Sequence, residues 1–160
     1  MADFHIRAAG PGDEATILSL LGELAAYEKL TDRFRLTPAL IARDFFGPAP
    51  LCFCELGFLG DQPAGVMTWY RTYSSFAAAA SFYLEDLYVR DSLRGRGLGK
   101  ALLAHLAKRA LREGAVHIEW AVLKWNAPSI AFYESLRAER NEGWDIYGLA
   151  GDALADLAQR

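Results

Sequence analysis

The 160-residue sequence is poor in cysteine, in histidine and in excess positive charge. It has two cysteines, three histidines and a net charge of −3 at pH 7. Cys52 and Cys54 are two positions apart in an apolar run, too far apart on an extended strand to form a disulfide easily. The histidines are scattered without the spacing of metal ligands. We therefore expect two free thiols in a reducing cytoplasm and no metal site.

Long apolar segments are also missing. No apolar run approaches the roughly 20 residues of a membrane-spanning helix, and the first ten residues lack the apolar core of a signal peptide. The slightly acidic charge balance argues against nucleic acid as the main partner. We expect neither a membrane nor a nucleic-acid partner. Because 52% of the residues are hydrophobic and no Ser/Gly-rich linker divides the chain, we expect residues 1–160 to form a single domain.

Hydrophobic periodicity predicts alternating strands and helices, an α+β class. Strands are predicted at 4–9, 51–59, 64–73 and 81–89, with a buried strand at 116–123 and a late strand at 143–149. Helices are predicted after Gly10–Glu14, after Thr37–Pro38, from Leu98 to Gly114, and after an Asn126 cap.

The segment RGRGLGK, residues 94–100, combines three glycines and three cations immediately before a long helix. Glycines at alternate positions let backbone N–H groups point into one concavity, and a helix N-terminus adds its positive dipole end, a combination typical of phosphate binding. Ala101 excludes the P-loop motif, which needs Ser or Thr after the lysine, and Lys100 occupies the third glycine position of the dinucleotide motif. The alternative is an ordinary glycine-rich turn with solvated arginines, but cations are disfavoured at a helix N-terminus unless an anion offsets them.

Three further side chains are candidates for chemistry. Glu85 and Asp86 interrupt the apolar strand YLEDLYV, where a carboxylate is costly unless it is paired or functional. Since successive strand side chains point to opposite faces, we expect the two carboxylates to serve different purposes. The Tyr133 phenol can donate a proton, although a tyrosine beside Phe132 at helical spacing is also typical of a core.

The glycine turn resembles the Arg/Gln-x-x-Gly-x-Gly/Ala signature of the GNAT N-acetyltransferases, whose turn holds the pyrophosphate of acetyl-CoA. Four further segments resemble, in the same order, the diamine acetyltransferases of that family, which act on spermidine, spermine or thialysine. They are ELAAYEKL (23–30), FYLEDLYV (82–89), WNAPSIAFY (125–133) and NEGWDIY (141–147). The resemblance covers nearly the whole chain, and YEKL and AVLKWN favour the thialysine type.

The resemblance implies a fold, an activity and a set of site residues. The fold would be a mixed, mostly antiparallel twisted sheet flanked by helices, with acetyl-CoA held between splayed strands, in a homodimer. Glu85 would be the general base, through water, Asp86 an orienting group and Tyr133 the general acid. The cofactor residues would be Leu87, Tyr88, Val89, Arg94, Gly95, Arg96, Gly97, Leu98, Gly99, Lys100, Asn126, Ser129 and Tyr133. The residues for a small cationic amine would be Tyr27, Glu28, Glu85, Glu119, Trp120, Glu142 and Trp144.

Some alternatives stay open at this point. Glu28 could be a solvated helix end, since exposed charges usually are solvated. Arg137 stands where relatives commonly have glycine, so it either adopts a left-handed conformation at some cost or the helix ends differently. An acyl-CoA-binding sensor without turnover, and an acetyltransferase for protein N-termini or lysines, are alternatives to a small-amine enzyme.

Overall fold

The computed structural model describes residues 4–160, and its elements follow the predicted order for most of the chain. The strands are β1 (Phe4–Ala8), β2 (Phe53–Leu59), β3 (Gln62–Ser74), β4 (Ala79–Val89) and β5 (Ile118–Glu119). The helices are α1 (Glu14–Tyr27), α2 (Pro38–Phe46), α3 (Leu98–Arg112), α4 (Ala127–Ser135) and α5 (Gly151–Ala158). The chain groups into two compact units, the first ending at Ala121 and the second running from Val122 to Arg160. None of the helices within residues 4–160 combines the length and the hydrophobicity that a membrane crossing requires.

The first unit is built on one five-stranded sheet with strand order β1-β2-β3-β4-β5. The first three pairings are antiparallel, and β5 runs parallel to β4. The strand β5 pairs only with Phe82 and Tyr83, so the stretch of β4 from Leu84 to Val89 has no strand on that side among residues 4–160. The sheet is therefore mixed, mostly antiparallel and partly open along β4, as predicted.

Two helices cover opposite faces of this sheet. On one face, α1 buries Ile17, Leu20 and Leu24 in an apolar cluster that includes Leu56 and Val66 of the sheet. Each fully buried side chain of this kind contributes about 1.5–3 kcal/mol relative to an exposed one.

On the other face, α3 lies close to the sheet at two glycines. A Cβ added at Gly57 would lie 3.0 Å from Leu98 Cδ1, and one at Gly65 would lie 3.3 Å from Leu102 Cδ1. The two glycines therefore leave room for the Leu98 and Leu102 side chains, which places the first turns of α3 against the sheet.

Two predicted strands are wrong. The buried strand at 116–123 shrinks to Ile118–Glu119, and Val116 is 55% exposed. The segment 143–149 contains no strand, Ile146 is 90% exposed, and the unpredicted helix α5 follows it. Strand propensity expresses how a side chain fits a pleated, half-buried surface, so an apolar alternating run becomes a strand only where a neighbouring strand is available.

The two cysteines are free thiols, as predicted. Burial raises the pKa of Cys52 to about 12 and raises that of Cys54 as well. Both thiols therefore remain protonated at neutral pH, which makes them poor nucleophiles.

Arg137 lies just after α4 and adopts the left-handed conformation that is costly for a residue other than glycine. Arg137 has φ 66°, its N–H donates to the Glu134 carbonyl at 2.9 Å, and the Ala138 N–H donates to the Tyr133 carbonyl at 3.1 Å. These two bonds form a Schellman motif with a non-glycine residue in the left-handed position.

We expect Arg137→Gly to stabilise the protein. The left-handed conformation costs a residue with a Cβ about 1–2 kcal/mol, and the greater freedom of glycine in the unfolded chain offsets part of that gain, so the expected net gain is about 0.5 kcal/mol. Urea unfolding of Arg137→Gly and Arg137→Ala measures it. The alanine variant removes the guanidinium but keeps the Cβ, and equal stability of the two variants would contradict the explanation.

Candidate active site

The glycine turn lies between β4 and α3. Gly95 and Gly97 have φ of 73° and 91°, and Gly97 caps α3, which begins at Leu98. A Cβ at either glycine would meet no atom within 4 Å, so the backbone conformation, and not space, requires glycine there. The first amides of this 15-residue helix have no side-chain cap, which leaves N–H donors for an anion. The backbone therefore fits the pyrophosphate role inferred from the sequence.

The three cations of the turn divide into two kinds. Arg94 Nε donates to the Val89 carbonyl at 3.0 Å, its Nη1 lies 2.9 Å from Asp91 Oδ1, and its guanidinium lies 4.5 Å from the centre of the Tyr27 ring. Arg94 thus ties the turn to β4 and to the end of α1. Arg96 and Lys100 are exposed, and they are the cations whose side chains remain open to a phosphate.

The open edge of β4 carries backbone donors. The Arg90 N–H donates to the Ala64 carbonyl on the β3 side at 2.9 Å. Because backbone N–H groups alternate between the two edges of a strand, those of Leu87 and Val89 point to the edge that has no neighbouring strand. This orientation supports the prediction that these two amides bind the thioester oxygen and the pantetheine arm.

A β-bulge lies at the two candidate carboxylates. Thr68 is opposite Asp86 whereas Trp69 is opposite Leu84, so Glu85 is an extra residue in β4. The bulge breaks the strict alternation from which separate roles for Glu85 and Asp86 were inferred, so alternation alone does not put the two side chains on opposite faces, and their separate roles stay a prediction. Both carboxylates act on the same neighbourhood, since the charge of each raises the pKa of the Cys52 thiol.

The two carboxylates and Glu28 form an acidic face, the name used below for Glu28, Glu85 and Asp86. Burial is the largest cause that raises the pKa of each of the three, and the charge of Asp86 further raises the pKa of Glu28 and Glu85. No Lys, Arg or His within residues 4–160 forms an ion pair with any of them. Partly desolvated carboxylates without a counter-ion attract a cation and hold protons more tightly than free carboxylates do. Glu28 is therefore better explained as part of a site than as a solvated helix end.

Two tyrosines beside the acidic face were missed by sequence reasoning. Tyr70 and Tyr83 are cross-strand partners whose rings stack at 5.2 Å, and Glu119 on β5 lies opposite Tyr83. Burial raises the pKa of both phenols, and the charges of Glu85 and Glu119 raise it further. Aromatic faces next to carboxylates suit an ammonium group. The register of the β3–β4 hairpin could have predicted that Tyr70 and Tyr83 lie opposite each other. The bulge shifts that register by one residue, and the sequence alone did not reveal the bulge.

The remaining predicted acceptor residues of the first unit are Tyr27 and Trp120. Both are half-buried. Tyr27 ends α1 beneath the Arg94 guanidinium, and Trp120 follows Glu119 at the end of β5. Tyr88, predicted on the cofactor side, points its hydroxyl to Glu23 Oε2 at 3.3 Å.

The other predicted residues lie in the second unit. Asn126 caps α4, and its Oδ1 accepts a hydrogen bond from the Ser129 N–H at 3.3 Å. Tyr133 lies in the same helix, with its ring centre 5.3 Å from that of Phe132. Glu142 and Trp144 lie in the exposed irregular segment after α4. Their roles stay predictions.

Comparison with known proteins agrees with this geometry. Residues 17–137 match the sequence model of the Acetyltransferase (GNAT) family. The thialysine N-epsilon-acetyltransferase of Bos taurus is 34% identical over 169 residues, which cover 99% of each chain. The human spermidine/spermine N(1)-acetyltransferase-like protein 1 is 36% identical over 97% of this chain and 24% of its own length.

A solved structure shows the same fold. An integron cassette protein from the mobile metagenome of V. cholerae superposes with a TM-score of 0.80 at 24% identity, covering 100% of this chain and 99% of the other. The family match spans most of the chain, and the bovine relative matches it from end to end. The chain therefore belongs to the acetyltransferase (GNAT) family, whose members use acetyl-CoA as the acetyl donor.

Proposed function

We propose that this protein acetylates a primary amine of a small cationic acceptor, a diamine, a polyamine or a thialysine-like amino acid, by direct attack of the amine on acetyl-CoA. The acidic face carries the proposal, because Glu85 and Asp86 lie on the stretch of β4 that has no strand beside it, Glu28 follows the end of α1, and no ion pair within residues 4–160 neutralises any of the three. Thialysine, the acceptor in the name of the bovine relative, is an amine of this kind and supports the proposal.

The donor side uses the turn and the edge of β4. Acetyl-CoA supplies an activated acetyl thioester. The amides at the start of α3, with Arg96 and Lys100, would hold its pyrophosphate, and the Leu87 and Val89 N–H groups would donate to the thioester oxygen as negative charge develops there. These donors are backbone groups fixed by secondary structure, so they need no rearrangement during the reaction.

The acceptor side needs a base and the leaving group needs an acid. The amine arrives as an ammonium ion, and Glu85, open to solvent and with a raised pKa, would take its proton through a water molecule. Asp86 and Glu28 would keep the cation in place. Tyr133 would give a proton to the departing sulfur, which restores a neutral thiol.

We also propose that residues 1–160 act as one GNAT domain, in a cytoplasmic homodimer. The family match from 17 to 137 crosses the division between the two units, which supports a single functional domain. The resemblance to the diamine acetyltransferases supports the dimer, and the two free thiols are consistent with a reducing compartment.

The test is CoA release from acetyl-CoA with a panel of amines: spermidine, spermine, putrescine, thialysine, lysine and a lysine peptide. We expect turnover with at least one small amine and a much lower kcat/KM for the peptide. Tight acetyl-CoA binding without turnover on any amine would favour a sensor, and preference for the peptide would favour a protein acetyltransferase. Either result would overturn the proposal.

A further inference from the structure

Thr68 is a polar residue at the buried centre of β3. It is 1% exposed, and its neighbours Met67 and Trp69 are fully buried. Burying a hydroxyl is costly unless it is hydrogen-bonded, so the partner of this group matters. The Thr68 hydroxyl donates to Asp86 Oδ2 at 2.5 Å, across the β3–β4 pair.

The backbone fixes this contact. Thr68 and Asp86 are directly opposite each other, at the last regular pair before the bulge at Glu85. Threonine is β-branched and has few χ1 rotamers on a strand, so the position of its hydroxyl is set by the strand itself. A carboxylate bonded to such a donor is held in one orientation.

We propose that Thr68 is a positioning residue for acetyl transfer, whose hydroxyl holds the Asp86 carboxylate in one orientation within the acidic face. The inference rests on the proposed function, because it takes Asp86 and Glu85 to face the acceptor amine. Thr68 itself touches neither substrate in this scheme and acts through Asp86.

The groups around Asp86 determine in which direction its pKa moves when the Thr68 hydroxyl is lost. The groups that face it are Glu28 at the end of α1, Glu85 on its own strand, and the thiols of Cys52 and Cys54. Burial raises the pKa of Asp86, and the Thr68 hydrogen bond lowers it. The Cys52 thiol also lies within hydrogen-bonding reach of the Thr68 hydroxyl, but burial raises its pKa to about 12, so it stays protonated and is a weaker acceptor than the Asp86 carboxylate.

Loss of the hydroxyl should therefore have two effects. Asp86 would take up a proton at a higher pH, because burial would no longer be opposed. Once Asp86 is neutral, the acidic face loses one negative charge, and Glu85 loses the neighbouring charge that raises its pKa.

The direct test is the titration of the Asp86 side-chain carbon by ¹³C NMR, with its signal assigned from Asp86→Asn. In Thr68→Val, which keeps the shape but lacks the hydroxyl, we expect the pKa of Asp86 to rise by about 1–2 pH units, as for loss of a hydrogen bond to a charged group. Thr68→Ser keeps the hydroxyl and should titrate as the wild type does. If Thr68→Val does not fold, Thr68→Ala gives the same comparison. An unchanged pKa in the variant without the hydroxyl overturns the inference.

The acceptor KM, measured as a function of pH, tests the role of Thr68 separately from the proposed function. Between the wild-type pKa of Asp86 and its higher value in Thr68→Val, the substitution should increase the acceptor KM by about tenfold or more, and the increase should shrink at pH values above and below this window. In an Asp86→Asn background the same substitution should have no further effect. A wild type that acetylates no small amine refutes the proposed function, whereas the NMR titration tests Thr68 without turnover. A KM increase that is equal at every pH would indicate a purely structural role and overturn the inference.

Discussion

Replacing Tyr133 with phenylalanine is expected to lower kcat by about 10²-fold or more, the usual range for loss of a general acid. The substitution removes only the phenolic oxygen, so the ring packing against Phe132 is kept. Acetyl-CoA should therefore bind as it does to the wild type. Stopped-flow or steady-state release of CoA with the preferred amine gives kcat, and calorimetry gives the dissociation constant of acetyl-CoA.

The matched control for this variant is Tyr147→Phe. Tyr147 belongs to the same unit and is exposed, so loss of its hydroxyl should leave kcat within about twofold of the wild type. An unchanged kcat in Tyr133→Phe would mean that the leaving sulfur obtains its proton elsewhere and that this tyrosine is a packing residue.

The second large effect is expected for Glu85→Gln. The amide has nearly the same shape as the carboxylate but cannot accept the ammonium proton, so kcat/KM should fall by about 10²–10⁴-fold at neutral pH. Addition of alkali should recover part of the activity, because more of the amine is then already unprotonated. Glu139→Gln is the control, since Glu139 is an exposed glutamate after α4.

The dependence of the wild-type kcat/KM on pH is expected to reflect the ionisation of Glu85. A base works only when it is unprotonated, so kcat/KM should decrease as the pH falls through the pKa of Glu85. Burial and the Asp86 charge raise that pKa, and the decrease should therefore begin above the value of about 4.3 expected for a free glutamate. If Glu85→Gln lost little activity, or kept the wild-type acid limb, the proton would be taken by another group.

Much of the fold could be predicted from periodicity and turn chemistry. Strands β1 to β4 and helices α1 to α4 lie where apolar spacing and the capping residues put them. The failures are β5, which is only Ile118–Glu119, and the absent strand at 143–149. A strand depends on a partner that is distant in sequence, and one sequence gives no information on whether that partner is present. The helix α5 was missed for a related reason, since an apolar run with glycines is compatible with both structures.

The candidate site also combines features that could be predicted from the sequence with features that could not. Local features, such as the left-handed glycines Gly95 and Gly97, the Asn126 cap and the position of Glu28 at the end of α1, follow from short segments and could be predicted. The pairing of Tyr70 with Tyr83, and the tie from Arg94 to Tyr27, join residues far apart in the chain and could not.

The sequence by itself determined the glycine turn before α3 and the side-chain types of the candidate site, because these depend on backbone conformation and side-chain identity over a few residues. The tertiary structure alone decided the surroundings of Glu85 and Asp86. A one-residue bulge in β4 appears only when β3 is paired with it, and that pairing brings Thr68 against Asp86, whose charge raises the pKa of Glu28 and of Glu85. Burial raises the pKa of each of these carboxyl groups, and the charge of Asp86 further raises the pKa of Glu28 and Glu85. Both effects depend on distances in space and not on spacing along the chain.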